Sequence, residues 1–347
     1  MATPVRDLGA TAPPSPAPSP PRGRTRFRVL SGIVVVLLVL EIAARLLEPR
    51  LPAAAQWSHA VPGGHLQNIE RLAAAGGADV LVVGSSSVGS AIDPEQLTSQ
   101  LDAPRGGYNL WMSGPSMRSI ELLTSRFALP ALSPRVLVVG VTSRELNDVG
   151  TSQREHLGVL RGPAAGRVLL TDESVLSDLE RAVTDAFALV RTRQELRQPR
   201  RVVDALRGVE DADEIGPDGM DTGTLDRTLE IAPEHAAQEQ AALRPFAVGG
   251  EELEALARLV RDARRQGIEV VLVDMPVVED AYVPYHERGR ADDERYQSVL
   301  ASFARAQEVE LVQARDLAWD DDLFADENHL NRAGARRLTG IVGEALS

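Results

Sequence analysis

The sequence predicts an α/β protein: a three-layer α/β/α sandwich around a mostly parallel sheet, with a transmembrane helix ahead of it. Three observations carry this. Short apolar, β-branched runs recur along the chain, helical patterns separate them, and one long apolar run stands near the N-terminus. Short runs of Val, Leu and Ile read as strands buried on both faces, as parallel sheets require. Strands that alternate with helices form βαβ units whose helices cover both faces of the sheet.

Residues 1–26 are dense in Pro, Ala and Ser. They predict a disordered cytoplasmic tail, because such a composition buries too little surface to offset its ordering entropy. Residues 27–48 predict the anchor. At about 1.5 Å per residue, 27–47 spans roughly 31 Å, close to the hydrocarbon thickness of a bilayer. Glu41 and Arg45 sit toward its end, one turn apart, where they can pair or snorkel. Arg22, Arg24, Arg26 and Arg28 precede or open the run, so the N-terminus stays cytoplasmic and the following domain lies outside the cell membrane. A cleaved signal peptide and a soluble helix compete with this reading. The nearest small-residue site, residues 53–55, lies well beyond the apolar core.

Residues 49–78 predict a juxtamembrane linker with a short helix at 65–75, and 79–347 a single α/β domain. Strands are expected at 79–83, 135–140, 268–274 and 309–312, and helices at 116–127, 251–266, 292–307 and 331–346. The stretch 150–250 breaks this rhythm and predicts an insertion, with an amphipathic helix from 172 to about 196 and an acidic mobile loop at 210–230.

Composition narrows the function. The 347 residues include 37 basic and 50 acidic side chains, a formal charge of −13, which argues against a nucleic-acid partner. Every basic residue is arginine. The absence of cysteine excludes disulfides, thiolate metal sites and a cysteine nucleophile. Asp320, Asp321 and Asp322 lack the spacing of a calcium loop, and no metal or cofactor is expected.

The first predicted strand runs into Gly84-Ser85-Ser86-Ser87-Val88-Gly89. This can be a plain turn, or a phosphate loop, though Gly-Lys-Ser/Thr does not follow. A third reading is an activated serine at a strand-to-helix turn, with backbone N–H groups nearby for an oxyanion. The Gly-x-Ser-x-Gly elbow does not fit, since Val88 holds the second glycine position. A base stands near the other end of the chain. Asp326 and His329 are three residues apart ahead of the last helix, so the carboxylate can reach an imidazole nitrogen and fix its tautomer. The other histidines lack a comparable carboxylate after a strand.

Together these residues resemble the SGNH (GDSL-type) hydrolase and acyltransferase superfamily. Gly84-Ser85-Ser86 is similar to its first block, Gly-Asp-Ser, with Ser85 in the aspartate's place, which implies Ser86 as nucleophile. Asn109-Leu-Trp-Met-Ser-Gly114 is similar to the second block and implies an oxyanion hole from the backbone N–H groups of Gly114 and Ser86. The third block normally supplies an asparagine; here Thr142, Ser143 and Asn147 are the candidates. Asp326 and His329 match the fifth block. The resemblance covers residues 79–347, implies the SGNH or flavodoxin-like layering, and needs no cofactor.

An anchored outer domain is similar to the branch that O-acetylates cell-envelope polysaccharides beside a multi-span membrane acyltransferase. The implied function is a serine esterase or O-acyltransferase acting on an envelope glycan or another acyl ester. Arg144 is a candidate for anionic substrate, and Trp111 for stacking on sugar. The alternative is a catalytically silent anchored protein that binds glycan or scaffolds an acyltransferase complex. A cytoplasmic nucleotide-binding protein is a third reading.

Overall fold

The computed structural model describes residues 22–47, 60–99, 104–150, 183, 186–191, 203 and 215–346. Five strands form one parallel sheet: β1 (Val80–Ser85), β2 (Gly107–Met112), β3 (Val136–Val141), β4 (Glu269–Asp274) and β5 (Glu310–Val312), in the order β2-β1-β3-β4-β5. In chain order the helices used below are α1 (Arg22–Leu47), α2 (Ala60–Ala74), α3 (Ser86–Gly89), α4 (Pro94–Thr98), α5 (Met117–Leu123), α6 (Ala188–Arg191), α7 (Pro233–Ala242), α8 (Glu251–Arg265), α9 (Arg290–Gln307) and α10 (Arg332–Ala345).

The period of two along each strand sorts the core into two layers. Leu81, Val83, Leu137, Val139 and Leu272 face one side, against Ile69 of α2, Ile120 of α5, Leu256 and Leu259 of α8, and Leu300 of α9. Val80, Val82, Val138, Val271 and Val273 face the other, against Val88 of α3, Leu97 of α4, and Leu338 and Val342 of α10. The three-layer sandwich is therefore present, and the sheet is wholly parallel.

Four strands fall where the apolar runs place them; β2 is an addition. It reads GYNLWM, with a glycine, an asparagine and no β-branched residue. The fully buried Asn109 is tolerated because its Nδ2 donates to the backbone oxygens of Val88 and Ile92 at 3.0 and 2.9 Å. The helix expected at 116–127 is broken: α5 gives way to a π-helical turn, Thr124–Ala128, and then to Leu129–Leu132, which contains Pro130.

Most of the expected 172–196 helix lies outside the described residues, as does the greater part of the tail. From residue 215 onward the acidic stretch is fastened to the core. Asn109 N donates to Asp218 O, Asp221 N to Gly89 O and Glu230 N to Ala325 O, at 2.8 to 3.0 Å. The first of these bonds pairs a backbone N–H on the outer edge of β2, and the other two fasten the stretch to α3 and to the loop beside Asp326.

Arg28–Leu47, within α1, is long and apolar enough to cross a membrane. Near its end Arg45 Nε donates to Glu41 Oε1 at 2.7 Å, and Glu41 accepts from the backbone N–H groups of Ala188 and Leu189. The two charges are thus paired with each other and with α6.

Candidate active site

In this strand order the chain leaves β1 for β2 on one side and returns to β3 on the other. Ligands gather beyond the C-terminal ends of the strands at such a reversal. Ser86 stands there, as the first residue of α3 directly after β1. Gly84 in the strand end is compelled by packing, since a Cβ would lie 2.3 Å from Val88 Cγ2.

The three consecutive serines differ in partners. Ser85 Oγ and Ser87 Oγ bond each other at 2.7 Å and are buried. Ser86 is half-buried, and its Oγ lies 2.8 Å from His329 Nε2. His329 Nδ1 lies 2.7 Å from Asp326 Oδ1. That oxygen also accepts from the backbone N–H groups of Asn328 and His329, so the carboxylate is fixed by its own turn. The turn is closed by an antiparallel bridge between Phe324 and Leu330, and Ala325 N donates to His329 O at 2.8 Å. Asn331 caps α10 through Ala333 N and Gly334 N, while its Nδ2 donates to Asp322 O and Phe324 O.

Burial alone would lower the pKa of His329, but the hydrogen bond and charge of Asp326 outweigh it and hold the imidazole above its ordinary value. Burial would raise Asp326, and the hydrogen bond and charge of His329 outweigh it in turn and hold the carboxyl below the usual range.

Ser86, Asp326 and His329 share a cleft of about 450 Å³ with Trp111, Ser113 and Thr224, among others. Trp111 is 4% exposed and packs over Gly89, with one edge on the cleft. Gly114 follows Ser113, in left-handed backbone at φ 55°. The three candidates for a further oxyanion donor are bonded elsewhere. Thr142 N and Oγ1 both donate to Glu145 Oε2, Ser143 Oγ pairs with His286 Nε2, and Asn147 Nδ2 donates to Ala242 O and Pro245 O. Arg144 is ion-paired with Glu239.

Two residues at or near the cleft escaped the sequence reading, His235 and Glu239, both on α7. His235 lines the cleft, and its ring centroid is 5.6 Å from that of His329. The signal was present: Ala-Pro-Glu-His places proline and an acid in a first turn, and residues 235 and 239 then share a helix face. His235, Asp326 and His329 each offer a metal-ligating atom, all within 4.8 Å. Both nitrogens of His329 are already bonded, to Asp326 and Ser86, so an ion there would have to break that chain.

No protein-family model and no curated protein matches the chain. Among solved structures, a GDSL-like lipase from Bacteroides thetaiotaomicron is 12% identical, covering 77% of this chain and 87% of that one, with a TM-score of 0.36. A protein called TesA is 15% identical, covering 78% of this chain and 98% of its own, with a TM-score of 0.30. Likeness of this degree says nothing of activity, and the functional reading rests on the residues.

Proposed function

We propose that this chain is a serine-dependent acyl-ester hydrolase or O-acyltransferase of the SGNH type, working on a cell-envelope glycan at the outer face of the cytoplasmic membrane. The observation that supports it most is the unbroken hydrogen-bond chain Ser86–His329–Asp326 opening on a cleft.

His329 takes the Ser86 proton as Oγ bonds to the ester carbonyl carbon, and Asp326 fixes the tautomer and stabilises the imidazolium. Backbone N–H groups of Ser86 and Gly114 donate to the tetrahedral oxyanion, each worth about 3 kcal/mol. The leaving alkoxide takes the proton from His329, and the acyl group remains on Ser86. Water or a glycan hydroxyl then repeats the step in reverse. Trp111 presents an apolar edge to the acceptor, and a multi-span acyltransferase is the partner that delivers the acyl group.

The test uses the full chain in detergent, beside Ser86→Ala and His329→Ala, with p-nitrophenyl acetate turnover and fluorophosphonate labelling as readouts. Both variants are expected to lose labelling and about 10⁵–10⁶ in kcat. Equal signals from the three folded proteins would favour the second reading, a silent scaffold. One observation leans that way: Thr142, Ser143 and Asn147 are engaged elsewhere.

A further inference from the structure

Beside the cleft lies a half-buried cation that the triad does not use. Ser113 lines the cleft with Ser86, and Gly114 follows it. A Cβ on Gly114 would stand 2.4 Å from Arg144 Nη2, so the guanidinium fills the room that a side chain there would need. Arg144 is 18% exposed, its Nη1 pairs with Glu239, and its Nε is buried without an acceptor. The Glu239 clamp belongs to α7, the helix that carries His235 one turn earlier to the cleft. Guanidinium presents five N–H donors in a fixed fork and does not deprotonate. Glu239 takes one side of that fork and leaves donors on the side next to Gly114.

In the reaction proposed above, charge develops on the acyl oxygen next to the Gly114 backbone, where fixed donors stabilise it. We infer that Arg144 is a catalytic residue of the reaction proposed above, donating to the acyl oxygen as it becomes an oxyanion; the inference rests on that reading. As Ser86 Oγ bonds to the carbonyl carbon, the π pair moves to oxygen and the serine proton to His329. Arg144 supplies hydrogen bonds and charge and gives up no proton. Glu239 aims the fork. Burial pushes its carboxyl up, against the pull of the Arg144 charge.

The experiment compares the full-length wild type, Ser86→Ala, Arg144→Gln and Arg144→Lys with p-nitrophenyl acetate, and measures the affinity of a small boronic acid that forms a tetrahedral anion on the serine. Arg144→Gln should lose about 10²–10³ in kcat with KM within twofold, and boronate affinity should fall in parallel. Arg144→Lys, which keeps charge without the fork, should fall between. A folded Arg144→Gln that retains kcat and boronate affinity, while Ser86→Ala is inert, overturns the role of Arg144 and leaves the serine reading intact. If Arg144→Gln does not fold, Arg144→Lys decides: unchanged kcat and boronate affinity overturn the inference. Wild type no more active than Ser86→Ala overturns both.

Discussion

Ser86 stands between two serines that are bonded to each other, and this sets it apart as the one hydroxyl free to meet His329. Sequence alone offered three adjacent serines; the choice rested on block alignment, because the bond between Ser85 and Ser87 depends on a backbone turn that composition does not reveal. The His329–Asp326 pair was legible for the opposite reason: its three-residue spacing is a local property. The pair has a pH signature. Its folded-state pKa is raised above about 6.5, so the imidazole stays protonated, and useless as a base, to a higher pH than a free histidine. The kcat/KM profile should therefore rise with pH through a midpoint above about 6.5. Asp326→Asn removes the hydrogen-bonded charge; the midpoint should move down and the rate fall about 10⁴-fold. A wild-type midpoint below 6.5, or a profile that Asp326→Asn does not shift, would contradict this account.

At the scale of elements, the site depends on how α10 begins. Asn331 accepts from two N-terminal N–H groups of that helix and donates to Asp322 and Phe324, thereby joining the helix to the turn that carries Asp326 and His329. Asn331→Ala loses the cap and removes the donor to the carbonyls of Asp322 and of the buried Phe324. It should cost about 2 kcal/mol in chemical unfolding, with a lower kcat as the His329 turn loosens. An unchanged unfolding midpoint would show that the cap is dispensable. Helices such as α8 and α10 were legible because their apolar stripe is periodic and their ends carry charges or caps. β2 was not, since an edge strand that buries asparagine and tryptophan lacks the β-branched run that marks its neighbours. α7 was hidden as well: its mean composition is polar, and only Glu239 and Ala242 are buried on it. Its contribution, Glu239 on Arg144, joins residues 95 apart in sequence, a separation that no local pattern reports.

Across the whole molecule, two parts of different chemistry meet near the end of α1. Most of Arg28–Leu47 exposes its apolar side chains, as a bilayer-facing helix does, whereas Ala44 is buried and Glu41 caps the backbone of α6. A charge placed inside an apolar span is costly unless it is paired, and here Arg45 and two backbone N–H groups pair it. Ala188 and Leu189 are thereby tied to α1, and residues 215–242 to the core and the cleft. A retained anchor makes a concrete prediction. In membranes washed with alkaline carbonate the chain should stay in the pellet with its N-terminal sequence intact by mass spectrometry, and protease added to spheroplasts should digest the α/β domain. A variant lacking residues 1–47 should move to the soluble fraction. Recovery of a soluble wild-type chain beginning after residues 53–55 would mean that α1 is a cleaved signal instead, and α6 would then lose Glu41, the acceptor of its Ala188 and Leu189 N–H groups.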